Sequence, residues 1–268
     1  MPGRFTSRKR VVMVNSTFDI AGKLALVTGS ARGLGNTYAR GLAAAGCTVV
    51  LHGRNADVLL AEQRAISEDF GVQVLTTQFD VAKSDEVFPA IEALIAEHGV
   101  PDILVNNAGV QRRAPFHEFP VSDWDEVVAT NLNGVFYVSR AISPGMVERG
   151  SGKIVNIGSV TSLLARQTVS AYTATKGAVA MLSKVMAADL TRYNIQVNTI
   201  SPGYFRTDMN EALIANAEFD TWVRGRTPAC RWGEPSELLG ALLFLCSAAS
   251  DFVSGQNIFV DGGMTSVL

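Results

Sequence analysis

The chain has 268 residues, 47% apolar and 18% charged, with 23 Lys and Arg against 25 Asp and Glu and a net charge of −2. That length allows one large domain or two small ones, and the apolar content excludes a disordered chain. The near-neutral balance leaves no basic face for nucleic acid, and no apolar run approaches the length of a membrane span. Cys47, Cys230 and Cys246 are too dispersed for a disulfide framework or a thiolate metal site. His52, His98 and His117 lack metal-ligand spacing and read as polar surface or satisfied packing, so no metal is expected.

The first ten residues hold Arg4, Arg8, Lys9 and Arg10 and no acid. Only a short apolar stretch follows, without a small-residue cleavage site. Residues 1–17 therefore read as a disordered tail, with Met13 an alternative start. From there the pattern alternates. Short apolar runs at 24–28, 48–51, 72–79, 103–106, 153–157, 196–200 and 257–260 read as strands. Helical periods fall at 33–45, 56–70, 85–97, 122–147, 171–192 and 235–248. Residues 204–233, with Phe205, Trp222, Arg226 and Trp232, lack a clear period and read as a short helix pair forming a mobile lid over the substrate. The whole predicts an α/β fold, a single-domain doubly wound (Rossmann-like) parallel seven-stranded sheet with helices on both faces, over residues 18–268.

The turn after the first strand reads Thr28-Gly29-Ser30-Ala31-Arg32-Gly33-Leu34-Gly35. Glycines there let the backbone turn sharply and approach a pyrophosphate at the positive end of the next helix. Asn106-Asn107-Ala108-Gly109 closes the fourth strand, and Asn131 lies in the long helix beyond it. Ser159 follows the fifth strand, Tyr172-x3-Lys176 comes 13 residues later, and Pro202-Gly203 with Thr207 follows the sixth strand. Tyr172 and Lys176 stand one helical turn apart, so their side chains share a face. An ammonium near a phenol of ordinary pKa near 10 favours the phenolate and suits it to acid–base work.

Taken in order, these signatures resemble the short-chain dehydrogenase/reductase family from about residue 18 onward. The resemblance implies a nicotinamide-dependent enzyme acting on CH–OH groups. Asn131, Ser159, Tyr172 and Lys176 would then be its catalytic set: Tyr172 the proton carrier, helped by the positive nicotinamide ring, and Ser159 the partner of the substrate oxygen. Lys176 would also hold the nicotinamide ribose, and Asn131 a water relaying protons to solvent. The cofactor would lie along Gly29, Ser30, Arg32, Gly33, Leu34, Gly35, Asn107, Ala108, Gly109, Pro202, Gly203 and Thr207, with Asp80 and Val81 at the adenine. Relatives that prefer the non-phosphorylated cofactor end the second strand in an acid. Gly53 stands there in this chain, and Arg54 and Arg32 suit a 2′-phosphate, so NADP(H) is expected over NAD(H).

Arg112 and Arg113, beside the Asn-Ala-Gly turn, suit a substrate carboxylate. With Ser159, Tyr172 and Tyr204 they make the expected substrate contacts. The stretches 111–115, 203–207 and 226–233 resemble the gluconate 5-dehydrogenase group, which implies a sugar acid, D-gluconate or 5-keto-D-gluconate. Two positions depart from that group: Gly158 stands where a cysteine is common, and Leu163 where a glutamate is. The resemblance also implies a cytoplasmic homotetramer paired through the helices after the fourth and fifth strands. Other readings are a 3-oxoacyl carrier-protein or polyol reductase of the same family, or a non-enzymatic NADP(H) sensor. The sensor has little need for the full catalytic set.

Overall fold

The computed structural model describes residues 14–207 and 210–268. The first thirteen positions of the expected tail lie outside the described residues, and Val14–Thr17 already form one helical turn. Seven strands follow: β1 (Leu24–Val27), β2 (Thr48–Gly53), β3 (Val74–Gln78), β4 (Ile103–Asn106), β5 (Gly152–Ile157), β6 (Ile195–Pro202) and β7 (Asn257–Val260). They pair in parallel in the order β3-β2-β1-β4-β5-β6-β7. The expected single parallel sheet is therefore present.

Alternation along the strands assigns the two cores. Ala25, Val27, Val49, Leu51, Val105 and Val155 face one side, with Tyr38 and Leu42 of α1 (Gly33–Ala44), Leu59 and Ile66 of α2 (Ala56–Phe70), and Leu242 and Leu245 of α9 (Leu239–Cys246). Leu26, Val50, Leu104, Ile154 and Val197 face the other, against Val87 and Ile91 of α3 (Ser84–His98) and Val138, Ile142 and Met146 of α5 (Gly134–Arg149). Both faces are covered, which is why the strands read as continuous apolar runs rather than alternating ones. Local signals set the helix ends. Asn55 accepts from the Val58 N–H at the start of α2, and Gly71 closes it at φ 66°.

Two elements differ from the sequence reading. The expected helix 122–147 is two helices, α4 (Val121–Val128) and α5, joined by a π turn at Ala129–Asn133. Periodicity does not show the break because both halves keep a buried face. The helix expected at 235–248 begins as a tighter 3-10 turn at Pro235–Leu238. The aperiodic stretch holds the short helix pair expected of it, α7 (Glu211–Ile214) and α8 (Ala217–Arg226). Helix α6 (Ser170–Leu190) carries the Tyr-x3-Lys pair. No described helix is long and apolar enough to cross a membrane.

Strand order runs outward in opposite directions from β1 and β4. A crevice opens at their carboxyl ends, where open parallel sheets bind ligands.

Candidate active site

The two turns at the crevice are bonded into one unit. Thr28 Oγ1 accepts from the N–H groups of Asn107 and Ala108, each at 3.0 Å. Asn107 Nδ2 donates back to the carbonyls of Thr28 and Gly29 at 3.0 and 3.1 Å. Gly29 has φ 64°, and a Cβ there would stand 2.9 Å from Ala108 Cα. A Cβ at Gly35 would meet the Gly29 carbonyl and the Asn107 amide. Both positions need glycine because the turns approach so closely. Arg32 precedes α1 without supplying a side-chain cap, and a side chain at Gly33 would project into open space.

Below this turn lies His52, 3% exposed, with Nδ1 accepting from the Gly29 N–H at 3.0 Å. Gly53 follows, and no carboxylate stands at the end of β2. Arg54 and Arg32 are both exposed. Arg54 lies 3.9 Å from the Asp80 carboxylate, and Asp80 also accepts from the Ala82 N–H at 3.0 Å. Val81 is buried against Gly134.

The π turn brings Asn131 into the crevice wall. A π turn often marks a functional site. Asn131 is buried and its side chain is committed: Oδ1 accepts from the Val110 N–H at 2.8 Å, and Nδ2 donates to the Val110 carbonyl at 2.9 Å and Thr175 Oγ1 at 3.4 Å. It thereby anchors the loop after β4 to α6.

Ser159 caps a tight turn, its Oγ accepting from the Thr161 N–H at 3.1 Å. Ser162 Oγ accepts from the Ser159 N–H and donates to the Lys176 carbonyl, tying this turn to α6. A Cβ at Gly158 would meet Ser201 Oγ and stand 2.8 Å from Thr199 Cγ2, so β6 packs here too closely for a cysteine. Leu163 is exposed. Lys176 is 5% exposed, and its Nζ donates to the Ile157 carbonyl at 2.6 Å and lies 5.6 Å from the Tyr172 ring centre.

The acidities differ from the expectation. Burial pushes the Tyr172 phenol above its ordinary 10.0, and a hydrogen bond from Ser159 opposes the rise without cancelling it. Lys176 is spent on a carbonyl and is itself brought down to about 8 by burial. Within the chain itself, then, desolvation outweighs the expected pull of the ammonium on Tyr172.

The neighbouring arginines separate. Arg112, partly buried, has its Nη2 2.8 Å from Glu126 of α4 and its Nη1 donating to the Gln111 carbonyl. Arg113 is the more exposed of the two; its Nη2 donates to Gln111 Oε1 at 3.3 Å, and its charge is felt by Tyr172 and Tyr204. Burial and a facing Arg166 make its charge harder to hold, while the two tyrosines oppose that. Arg166, absent from the sequence reading, donates to Tyr204 Oη at 3.4 Å and lies 4.4 Å over the Phe219 ring. Its only sequence signal is a place between Ser159 and Tyr172.

Tyr204 packs edge-on against Phe219, Trp222 and Trp232 at 5.6, 5.8 and 5.6 Å. Gly203 lies against Asp261, and the Thr207 carbonyl accepts from the Asn210 N–H. A cleft of about 460 Å³ runs between Arg32, Val110, both Arg112 and Arg113, and the α7 residues Ala212 and Leu213.

Fold and site together define an NAD(P)-dependent oxidoreductase acting on CH–OH groups. A family profile described as enoyl-(acyl carrier protein) reductase matches residues 29–265. The chain is 51% identical to gluconate 5-dehydrogenase of Gluconobacter oxydans, over 92% of this chain and 96% of that one. It is 47% identical to 5-keto-D-gluconate 5-reductase of Escherichia coli, over 94% and 98%. The crystal structure of a gluconate 5-dehydrogenase from Burkholderia cenocepacia in complex with NADP and tartrate superposes with a TM-score of 0.92 at 50% identity, covering 94% of this chain and 99% of that one. The chain belongs to the short-chain dehydrogenase/reductase family.

Proposed function

We propose that this protein is an NADP(H)-dependent oxidoreductase that interconverts D-gluconate and 5-keto-D-gluconate. The observation that carries the reading is a cleft lined by the Arg112 and Arg113 guanidiniums, the second of them near enough for its charge to act on the Tyr172 phenol. A cation placed there suits a substrate that bears a carboxylate on the same small molecule as the reacting carbonyl. The 51% and 47% identical relatives are enzymes of gluconate and 5-keto-D-gluconate, and the similar crystal structure holds NADP and the dicarboxylate tartrate.

The residues fit the cofactor. The uncapped start of α1 offers amide donors to a pyrophosphate, and the open space at Gly33 leaves room for it. Arg32 and Arg54 offer two guanidiniums to a 2′-phosphate, and β2 ends in Gly53 rather than a carboxylate. The long, exposed Arg54–Asp80 pair is weak and leaves Arg54 able to turn. The adenine falls to Asp80 and Val81, and the nicotinamide ribose to Tyr172 and Lys176. Asn107, Ala108, Gly109, Pro202, Gly203 and Thr207 form the remaining wall.

When bound, the nicotinamide supplies or accepts the hydride at the substrate carbon. In the reductive direction, Ser159 Oγ donates to the carbonyl oxygen and so favours the charge that gathers on it. Tyr172 Oη gives that oxygen its proton. Lys176 keeps its charge below about pH 8 and favours the phenolate that Tyr172 leaves behind. Arg113 fixes the carboxylate and thereby the carbon presented. Oxidation runs the same transfers in reverse.

A panel of sugar acids and uncharged polyols with both cofactors, followed by the absorbance of the reduced nicotinamide, tests the assignment. Highest kcat/KM on the gluconate pair with NADP(H) is expected. Higher values on acetoacetyl thioesters or polyols, or equal use of NAD(H), would overturn it.

The assembly is read as a homotetramer. Exposed apolar residues on the helices after β4 and β5, Phe136, Met181 and Val185, support it. Light scattering of the purified protein checks the mass. Three free thiols support a reducing compartment such as the cytoplasm.

A further inference from the structure

We propose that His52 is a positioning residue for the dinucleotide: its Nδ1 lone pair holds the amide of Gly29 and so keeps the phosphate turn in its binding shape. The inference rests on the cofactor reading above and concerns a residue outside the catalytic set.

Four hydrogen bonds converge on this one side chain and its backbone. The Gly29 N–H donates to Nδ1 at 3.0 Å, and the opposite ring nitrogen, Nε2, lies 3.0 Å from the Phe79 carbonyl. A backbone amide can only donate, so Nδ1 carries no proton and Nε2–H donates to Phe79. The neutral Nε2-protonated tautomer is the one form that satisfies both neighbours. The His52 N–H donates to Ser30 Oγ at 2.9 Å, and the Ser30 N–H to the His52 carbonyl at 3.0 Å. The ring also packs on Phe79, with centres 4.0 Å apart. His52 thus holds both Gly29 and Ser30, at the positive-φ bend that aims the chain into α1. A ring at a strand end with no partner on the turn would be packing alone; this one is threaded through the turn.

The two ring nitrogens can be separated by substitution. An asparagine places its terminal oxygen near the Nδ1 position and keeps an acceptor for Gly29. A glutamine reaches the Nε2 position, keeps the donor to Phe79 and leaves the Gly29 amide unmet. A buried unmet donor weakens the turn by enough to change affinity about tenfold or more.

Protonation gives a second readout. Burial holds His52 neutral down to about 4, against an ordinary 6.5, with Asp80 favouring the cation and Arg54 opposing it. Because the unfolded chain takes up the proton first, this site's contribution to stability is intact above pH 6.5 and is lost progressively as the pH falls toward 4.

The experiment is titration of NADPH into the wild type, His52→Asn and His52→Gln, read by fluorescence of the reduced cofactor with no substrate present. Thermal melts of all three from pH 7 to pH 4 accompany it. His52→Gln is expected to weaken NADPH binding by about tenfold or more, and His52→Asn to stay within about threefold of wild type. His52→Asn is also expected to lose less stability than wild type on acidification. Equal NADPH affinity in His52→Gln and wild type, or equal losses in both variants, overturns the inference and leaves the functional reading intact. A wild type that binds no nicotinamide dinucleotide overturns both. If His52→Gln does not fold, the His52→Asn affinity and its flatter acid limb decide the matter.

Discussion

The glycine turn at 28–35 and the segment 204–233 border one cleft and are held by different forces. The turn is a lattice of directional bonds: Thr28 to Asn107 and Ala108, Asn107 back to Thr28 and Gly29, His52 to Gly29. The side chains at its bends are glycines, because the two loops approach almost to contact. The segment 204–233 is held by aromatic rings: Tyr204 packs edge-on against Phe219, Trp222 and Trp232, Phe219 stacks on Trp222, and Arg166 lies over Phe219. Hydrogen-bond geometry tolerates little change, whereas aromatic contacts accept many shapes at similar energy. The rigid side suits the part of the reaction common to many substrates, and the adaptable side the part that differs between them.

The residues proposed for catalysis lie between these regions, and Tyr172→Phe tests that assignment with the largest effect. Loss of the acid–base group is expected to lower kcat by about 10²–10⁴-fold while NADPH still binds. Comparable turnover in the folded variant would remove Tyr172 from the mechanism. On the substrate side, Arg113→Ala is expected to lower kcat/KM for the sugar acid by about 10²-fold, because a charge-assisted contact is lost. Arg112→Ala, whose guanidinium is spent on Glu126, should change it by no more than about threefold. Equal losses in the two steady-state assays would erase the distinction between the arginine paired with Glu126 and its neighbour.

On the turn side, Arg32→Ala and Arg54→Ala are each expected to reduce the preference for NADPH over NADH by about tenfold, with little change for NADH. The ratio of kcat/KM values at two salt concentrations measures this directly, since exposed charges are screened.

Lys176→Met sharpens the comparison in stability rather than rate. Holding an ammonium in the buried seam costs stability below about pH 8, and that cost fades as the pH climbs to 10.5, where the unfolded chain also loses its proton. The variant should lose activity yet melt about 4 °C higher at neutral pH. The gap to wild type should close toward pH 10, as melting curves across that range will show.

The same contrast decides how much could be read from the sequence. The elements at 56–70, 103–106 and 257–260 appear with the expected bounds because local signals agree with the sheet. The glycine turn was visible because its chemistry is local: strand, bend and helix start are consecutive. Arg112 and Arg113 are indistinguishable by composition and adjacent in sequence. Only the chain's path past Glu126 gives Arg112 an ion-pair partner and leaves Arg113 with Gln111. Arg166 stayed hidden because its partners, Tyr204 and Phe219, are brought to it by tertiary packing alone. By sequence His52 reads as polar surface or satisfied packing; its burial fits the second, and neither shows the bond to Gly29. For Tyr172 the sequence displays the neighbouring lysine and conceals the burial that raises the phenol in the chain by itself.

The π turn at Ala129–Asn133 has a consequence for how this chain can vary. A π turn holds one residue more than the α turn it replaces, and each residue advances a helix by about 100°. Up to Val128 the helix keeps one phase, and from Gly134 another, so Asn131 can turn to the crevice while Val138, Ile142 and Met146 still meet the sheet. Deleting one residue within the turn would splice the two phases into a continuous helix and force a choice between those orientations. Descendants of this sequence can exchange many surface letters along α4 and α5, but their count between Val127 and Val138 is held to a single value.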